Sequence, residues 1–332
     1  MKPSVTISDV AKASGVSIQT VSRVINNKNE ISSATRQRVL QTIEELGYRP
    51  NNIARGLVTS RTFTLGLVMP DIANPFFPEI ARGAEEVALE HGYTIFLCNT
   101  NEQPERELVM LNMLESQRVA GIVVCGARLP DEQLMPVLRR FEAVVLINRK
   151  VPLDIASSVL VDYAEGTRMA IAHLQANKRQ RIGFLSGPGY TYGCQTRLDA
   201  FTQMLQTDGQ LLDHSLLQPC APNSEGGYLA TRELLARHPD LDGLLCYNDL
   251  VATGALQACA ELGVRVPEQL AMVGYDDIPV ASVVTPALTT VGISKTLLGA
   301  HAMRLLLKQL NGEQTGKELL FSPQLIVRVS AP

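Results

Sequence analysis

The chain is poor in aromatic residues and lacks the long apolar runs of a membrane protein. It has no Trp among 332 residues, and aromatic residues make up only 5% of it. No apolar run approaches the roughly 20 residues that a membrane-spanning helix needs. The N-terminal stretch MKPSVTISDVAKASG has no apolar core of signal-peptide length. We therefore expect a cytoplasmic protein without a membrane segment.

Cysteine is present, but without the spacing of a disulfide or metal framework. Of the six cysteines, none forms a CxxC pair, and no Cys/His spacing suits zinc. Four lie in or beside apolar runs such as IFLCNT and IVVCGA, where a buried thiol behaves as a small apolar side chain. This usage favours a reducing compartment and predicts no metal site.

Common catalytic motifs are also missing. The first strand-like run ends in MPDIANP without a GxGxxG motif, and the chain contains no P-loop, GxSxG or HExxH sequence. The five histidines lie at the ends of predicted helices or on amphipathic helices, where a structural role is commoner than a catalytic one. We therefore expect neither an enzyme nor a bound cofactor.

Charge is distributed unevenly along the chain. Residues 1–61 hold nine Lys/Arg and four Asp/Glu, a net charge of +5. Because the whole chain carries −3, the remainder carries −8. A small basic segment attached to a large acidic body is typical of a polyanion-binding module. A chance imbalance of surface charge is the alternative.

Residues 1–48 carry the signals of three short helices. Thr6, with Asp9 three residues later, can cap the first helix in a partial capping box. The sequence ASGVS predicts a tight turn at Gly15, and Ser17 can cap a second helix. A third helix is predicted to bury Val39, Ile43 and Leu46. Two helices joined by a tight glycine turn are typical of a helix-turn-helix motif.

The second predicted helix keeps short polar side chains on its outer face. Its apolar residues have helical spacing, which leaves an exposed set: Ser17, Ile18, Gln19, Thr20, Ser22, Arg23 and Asn26. Hydroxyls at a helix N-terminus suit phosphates, while Gln and Arg match adenine and guanine edges in the major groove. Ile18 could contact a thymine methyl group. The alternative is a helical domain with an incidental polar face.

From residue 63, strand-like apolar runs alternate with amphipathic helices, and the pattern repeats after SSVLVD. Continuous Val/Ile/Leu strands between helices predict a parallel sheet covered on both faces. Two such sets predict an α/β body of two doubly wound lobes behind a small all-α head. Ligands of such sheets bind beyond the carboxyl ends of the strands. Many strands here end in Asp, Asn or Ser, and turn formation is the alternative role for each.

These segments resemble the lac repressor/GalR family of bacterial transcription regulators over essentially the whole chain. The specific matches are VTISDVAKASGVSIQTVSRVINN, ISSATRQRVLQTIEELGYRPN, GLVMPDIANPFFPEIARGAEEVALEHGYTIFLCNT and GYDDIPVASVVTPALTTV. The resemblance implies a body like periplasmic sugar-binding proteins, with three crossovers and an effector in the cleft. It also implies a homodimer on a pseudo-palindromic operator in double-stranded DNA. No leucine-heptad extension follows LIVRVSAP, so we expect a dimer rather than a tetramer.

The resemblance implies three segments. A helix-turn-helix DNA-binding domain covers 1–48, a hinge covers 49–62, and an effector-binding and dimerisation domain covers 63–332. The N-lobe is expected at about 63–161 plus 293–321, and the C-lobe at about 162–292 plus 322–332.

The hinge is expected to become helical on DNA and to wedge Leu57 into the minor groove. The segment NIARGLV is too short to hold a helix alone, and Gly56 adds a cost of roughly 1 kcal/mol relative to Ala. A plain flexible linker is the alternative. The DNA contacts implied by the family pattern are Thr6, Ser17, Ile18, Gln19, Thr20, Ser22, Arg23, Asn26, Asn51, Ala54 and Leu57.

The family pattern also implies an effector site, formed by Phe76, Phe77, Asn148, Asp162, Arg197, Asn248, Asp249 and Asp276. Aromatic rings can cover sugar C–H faces, while Asp, Asn and Arg bind hydroxyls, so the set suits a polyol. An internal Arg197–Asp276 pair that holds the lobes together is the alternative. Thr191, Gly193 and Pro222 depart from the purine-binding branch. We expect a repressor controlled by a sugar or sugar derivative; a nucleoside or other non-sugar metabolite is the alternative. The sign of the response and the operator sequence stay open.

Overall fold

The computed structural model describes residues 5–25, 30–48, 62–206, 213–313 and 316–332. The chain divides into two units, Met1–Phe63 and Thr64–Pro332. Most of the expected hinge, residues 49–61, lies outside the described residues. Within the described ranges, no helix is both long and apolar enough to cross a membrane.

The first unit contains three helices, α1 (Ile7–Ser14), α2 (Ile18–Ile25) and α3 (Ser33–Leu46). The capping box predicted at the start of α1 is confirmed, because Thr6 and Asp9 each bond the other's backbone N–H. Helix α1 ends at Gly15, whose φ of 67° lies in the left-handed region that glycine adopts without strain. The tight turn between α1 and α2 is therefore determined by the local sequence, through Gly15.

The three helices enclose a small apolar core. Val10, Val21, Val24 and Val39 are buried there, and Ile43 packs against them. Leu46, however, is 37% exposed, so its prediction as a core residue is wrong. Leu46 is the last residue of α3, where Gly47 already turns the chain away with a φ of 61°.

The first sheet of the second unit is entirely parallel. Its strand order is β11-β5-β4-β3-β1-β2. The strands are β1 (Thr64–Met69), β2 (Thr94–Asn99), β3 (Gly121–Cys125), β4 (Val144–Ile147), β5 (Ser157–Val161) and β11 (Glu318–Phe321). Its helices are α4 (Phe76–Glu90), α5 (Pro104–Ser116), α6 (Asp131–Leu138) and α12 (Lys295–Leu310).

The second sheet has the order β12-β10-β9-β8-β6-β7, and only β12 runs antiparallel to its neighbour. The strands are β6 (Ile182–Ser186), β7 (Leu217–Pro219), β8 (Gly243–Cys246), β9 (Ala271–Asp276), β10 (Thr289–Gly292) and β12 (Gln324–Ile326). The helices are α7 (Tyr163–Ala176), α8 (Tyr192–Gln206), α9 (Ser224–Arg237), α10 (Asp249–Leu262) and α11 (Val280–Val283), with a 3-10 turn at His214–Leu216.

The chain passes between the two lobes three times, as the family resemblance implies. The passages lie between β5 and α7, between β10 and α12, and between β11 and β12. The carboxyl ends of the parallel strands of both sheets therefore border a cleft, which is where ligands of such sheets bind.

Helices α4 and α12 approach each other closely because both carry glycine at the contact. A Cβ added to Gly83 would lie 2.0 Å from the carbonyl oxygen of Thr296, and one added to Gly299 would lie 2.0 Å from that of Ile80. Such distances are far below van der Waals contact, so neither position tolerates a side chain without movement. This packing fixes the start of α4, which borders the cleft.

Candidate DNA-binding face and interlobe cleft

The outer face of α2 is partly as its sequence predicts, because Ser17, Ile18, Gln19 and Arg23 are exposed while Thr20 and Ser22 are half-buried. Ile18 is 49% exposed, and the Arg23 side chain is 48% exposed. The Ser17 hydroxyl accepts a hydrogen bond from the backbone N–H of Thr20 at 3.1 Å and caps the start of the helix. Ile18 is thus an exposed apolar side chain among polar neighbours on this face.

The arginine on this face forms an ion pair with a carboxylate that is itself exposed. Nη1 of Arg23 lies 3.4 Å from Oε2 of Glu30, whose side chain is 69% exposed. Exposed ion pairs of this kind contribute about 0–1 kcal/mol. If Arg23 left Glu30 to bond a nucleic-acid acceptor, the free-energy cost of breaking the ion pair would therefore be small.

The hydroxyl of Thr6 is already used within α1. It donates to Oδ2 of Asp9 at 2.7 Å and accepts from the backbone N–H of Asp9 at 3.3 Å. Hydrogen bonds from the backbone and then the side chain of Thr6 lower the pKa of Asp9. Thr6 orders the start of the first helix and is also exposed.

The cleft brings six of the eight predicted effector residues together. Phe76, Phe77 and Asn148 line it from the first lobe, and Arg197, Asn248 and Asp276 line it from the second. The remaining lining consists of Asn74, Ile80, Glu102, Cys125, Gly126, Arg128, Ile147, Tyr163, Thr191, Gly193, Pro222 and Tyr247.

Arg197 lies among three tyrosine rings in the wall of the cleft. Its Cζ is 3.9 Å from the ring centre of Tyr163, 4.0 Å from that of Tyr275 and 4.6 Å from that of Tyr247. The side chain is buried, and Nη1 donates to the carbonyl of Gly193 at 3.1 Å. Nε is buried, and no hydrogen-bond partner for it lies among the described residues. The tyrosine rings therefore supply much of the surroundings of this guanidinium.

The acid beside this arginine is Asp276, the last residue of β9. Its Oδ1 lies 3.9 Å from Nη2 of Arg197, too far for a direct hydrogen bond. Burial raises the pKa of Asp276 to about 6, against the opposing charges of Arg197 and Lys295. Arg197 lies on α8, so both members of the pair belong to the second lobe. The alternative in which this pair holds the two lobes together is therefore wrong.

The opposite wall is aromatic. The rings of Phe76 and Phe77 meet edge to face, with centres 5.2 Å apart and planes at 86°. Asn148 is engaged internally, because Nδ2 donates to the Tyr163 hydroxyl at 2.8 Å and Oδ1 accepts from the N–H of Val161 at 3.0 Å. The phenyl rings thus form the apolar wall of the cleft, while Asn148 bonds the first lobe to α7 of the second.

A second arginine in the lining is neutralised by a carboxylate. Nε of Arg128 donates to Oε2 of Glu102 at 2.6 Å, and Nη2 donates to Oε1 at 3.0 Å. With Arg197 and Asp276, the lining carries two arginines and two acidic residues. The charges of this lining balance, which favours a neutral polar ligand over a phosphate or a cation.

Comparison with known proteins identifies the family. Residues 6–51 match the family described as "Bacterial regulatory proteins, lacI family", and residues 171–331 match a "Periplasmic binding protein-like domain". The chain is 37% identical over 311 residues to the ribose operon repressor of Halalkalibacterium halodurans, with 92% of this chain and 90% of that relative covered. The chain belongs to the lacI family of bacterial regulatory proteins.

Solved structures of lacI-family proteins share the fold of this chain. The lac repressor dimer bound to operator and the anti-inducer ONPF has a TM-score of 0.88 at 27% identity, with 99% of each chain covered. The complex of the transcriptional regulator CelR with cellobiose has a TM-score of 0.75 at 31% identity, with 98% of this chain and 99% of that chain covered. The family resemblance and the head-plus-two-lobes architecture are thus confirmed.

Two residues predicted for the effector site of this lacI-family regulator do not line the cleft. Asp249 is fully buried, and its carboxylate accepts from the Thr290 hydroxyl at 2.6 Å and from the N–H of Ile278 at 2.9 Å. Burial, and then the charge of Asp276, raise the pKa of Asp249 well above its usual value. Asp162 caps α7 by accepting from the N–H of Glu165. Both predictions of ligand contact are corrected, because neither residue lines the cleft and internal side-chain or backbone groups bond both carboxylates.

The tyrosines around Arg197 were not predicted from the sequence. Tyr163, Tyr247 and Tyr275 each adjoin a polar residue that the sequence did single out, namely Asp162, Asn248 and Asp276. An aromatic residue beside a polar strand end is the signal that could have found them. Among the predicted DNA contacts of this lacI-family chain, Asn26, Asn51, Ala54 and Leu57 lie outside the described residues.

Proposed function

We propose that this lacI-family chain is a transcription repressor whose operator affinity is controlled by a sugar or sugar derivative bound in the interlobe cleft. The observation that carries the proposal is the buried guanidinium of Arg197, whose Nη2 lies 3.9 Å from Oδ1 of Asp276 without a direct hydrogen bond. A hydroxyl group accepts from the first and donates to the second, so one polyol satisfies both. The cleft binds its ligand and does not turn it over.

The other wall suits the apolar face of the same molecule. Phe76 and Phe77 present aromatic surface to the cleft, and sugar C–H groups pack on such rings. Balanced charge in the lining disfavours an ionic effector. One similar protein is named a ribose operon repressor and another was solved in complex with cellobiose, which supports a carbohydrate.

Operator recognition is assigned to the exposed face of α2. Gln19 and Arg23 can pair with adenine and guanine edges, and Ile18 can contact a thymine methyl. The lac repressor structure is a dimer on operator DNA, which supports a homodimer on a pseudo-palindromic operator here. Such a protein works in the cytoplasm, where bacterial operators are.

The effector is tested by calorimetry, since the chain has no Trp to report binding by fluorescence. The full chain is titrated with D-ribose, D-xylose, D-glucose, cellobiose, adenosine and cytidine. We expect one sugar to bind and to change affinity for an operator selected from random DNA. Binding of a nucleoside alone would overturn the sugar assignment and leave the regulator assignment standing.

The dimer is tested by sedimentation at micromolar concentration. We expect a dimer both with and without operator DNA. A stable tetramer would show that the homodimer assignment is wrong.

A further inference from the structure

A buried lysine outside the cleft lining connects its two walls. Lys295 is the first residue of α12, in the passage from β10 back to the first lobe, and is only 5% exposed. Its Nζ donates to the backbone carbonyls of Asp276 and Asp277, both at 2.8 Å. The same Nζ lies 3.7 Å from Oε2 of Glu79. A lysine so deeply buried is rare unless its charge is compensated, and here three oxygens surround it.

One end of this connection is the backbone that presents Asp276. Asp276 and Asp277 have φ values of 102° and 49°, in the left-handed region that residues with a Cβ seldom adopt. The ammonium of Lys295 bonds the carbonyls of both residues and so stabilises this conformation. Ile278 N–H is held by the carboxylate of Asp249, and Oδ1 of Asp277 is held by Arg328 at 2.7 Å. The direction of the Asp276 carboxylate therefore depends on the backbone conformation of residues 276–278, which these hydrogen bonds stabilise.

The other end of the connection is the aromatic wall. Glu79 lies in the first turn of α4, two residues after Phe77, which lines the cleft together with Phe76. Helix α4 packs on α12 through Gly83 and Gly299, so its start cannot shift freely. Through Glu79, Lys295 links the start of α4 to the turn that carries Asp276.

We propose that Lys295 is a positioning residue of the effector site: it aims the Asp276 carboxylate into the cleft and sets its separation from the Phe76/Phe77 wall. This inference rests on the proposed function, because it concerns the same cleft. Lys295 does not line the cleft and needs no contact with the effector.

Charges facing Asp276 come from several elements. Arg197 of α8 and Lys295 of α12 favour its ionised form, against the burial that disfavours it. Asp249 of α10 also faces it, and burial and then the charges of Asp276 and Asp277 raise the pKa of Asp249. Tyr163 of α7 and Tyr275 of β9 also face it. Loss of the Lys295 charge therefore raises the pKa of Asp276 further, beyond its value of about 6.

The main test replaces Lys295 by Met, which keeps the length of the side chain and removes its charge. D-ribose is the probe, with the best-binding sugar substituted if another binds more tightly. At pH 7.5 we expect Lys295→Met to weaken binding at least tenfold and to move the pH midpoint of binding upward. Lys308→Met, an exposed lysine on the same helix, is the matched control and should bind as wild type. Wild-type affinity and midpoint in Lys295→Met would overturn the inference.

A second variant covers the case in which Lys295→Met does not fold. Glu79→Gln removes the charge at the α4 end of the connection, at a side chain that is 28% exposed. We expect about threefold weaker binding of the sugar, whereas the exposed Glu86→Gln on the same helix should have no effect. Equal affinities of the two variants would contradict a link between α4 and the site.

A ligand-free measurement separates this inference from the proposed function. The pKa of Asp276 is raised by burial, so its stabilising contribution is present at low pH and is lost as the pH rises through about 6. Urea unfolding from pH 4 to 8 is compared for wild type, Asp276→Asn, Lys295→Met and the double variant. In Lys295→Met, we expect the part of the unfolding free energy that depends on Asp276 to be lost over a range that extends to higher pH than in wild type. If the pH dependence of the unfolding free energy is the same with and without Lys295, the positioning role is wrong whatever the effector is. If that pH dependence shifts but no sugar binds, only the sugar assignment is wrong.

Discussion

Nη2 of Arg197 lies 3.9 Å from Oδ1 of Asp276, although both side chains are buried in the same wall of the cleft. This separation is short enough for mutual attraction and too long for a direct hydrogen bond. A hydroxyl group placed beside both of them can bond each partner. The pair is therefore the centre of the proposed effector site, and the first two predictions concern it.

Arg197→Lys is expected to weaken effector binding by about 1–3 kcal/mol, roughly fivefold to 150-fold. A lysine keeps the charge but loses the planar fork that lies among three tyrosine rings. Calorimetry with the bound sugar measures the loss, and basal operator affinity should not change. Arg168→Lys, at an exposed arginine paired with Glu165, is the control. Equal affinities of the two variants would place the ligand elsewhere.

Effector affinity is expected to fall as the pH drops through about 6, the raised pKa of Asp276. The ionised carboxylate accepts hydrogen bonds from sugar hydroxyls, and protonation removes part of that capacity. The decline should approach tenfold per pH unit below the midpoint, because one proton is involved. Calorimetry between pH 5 and 8 gives the profile. A wild-type profile retained by Asp276→Asn would assign the titration to another group.

Arg23→Ala is expected to cost about 1–3 kcal/mol of operator affinity and to relax discrimination at one base pair in each half-site. The arginine is half-exposed and its pairing with Glu30 is weak, so the side chain is free to turn to a base. Anisotropy titrations on single-base operator variants measure both effects. Affinity should also fall steeply with salt, since the basic head neutralises phosphates. A footprint unaffected by replacing Ile18, Gln19 and Arg23 together would refute the recognition face.

Leu57→Ala is expected to weaken operator binding and reduce DNA bending without lowering the melting temperature. Leu57 lies outside the described residues, and the prediction rests on its position in the hinge sequence of the family. An apolar wedge in the minor groove acts only on DNA, so its removal should not affect the free protein. Calorimetric melting and a bending assay separate the two effects. A loss of several kcal/mol of stability would instead make Leu57 a core residue.

Much of the architecture follows from local signals in the sequence. The ends of α1 and α3 are encoded by Thr6, Asp9, Gly15 and Gly47, whose effects reach only three or four residues along the chain. Alternation of apolar strands with amphipathic helices predicts the two sheets in the same way. Leu46 departs from its pattern because the end of a helix has fewer neighbours to cover it.

The sequence alone determined the family, the three-helix head, the two α/β lobes and the edge of the sheets where a ligand would bind, because capping, periodicity and motif spacing are local properties. Only the tertiary structure decided which polar strand ends face the cleft. Asp276 is the last residue of a buried strand, and Asp249 lies shortly after another. Thr290 and Ile278 bond the carboxylate of Asp249, and only Asp276 lines the cleft. Only the tertiary structure, likewise, places the three tyrosines around Arg197 and connects the two walls of the cleft through Lys295. Each arrangement joins residues far apart in the chain, and burial and hydrogen bonding between such residues exist only once the lobes have folded.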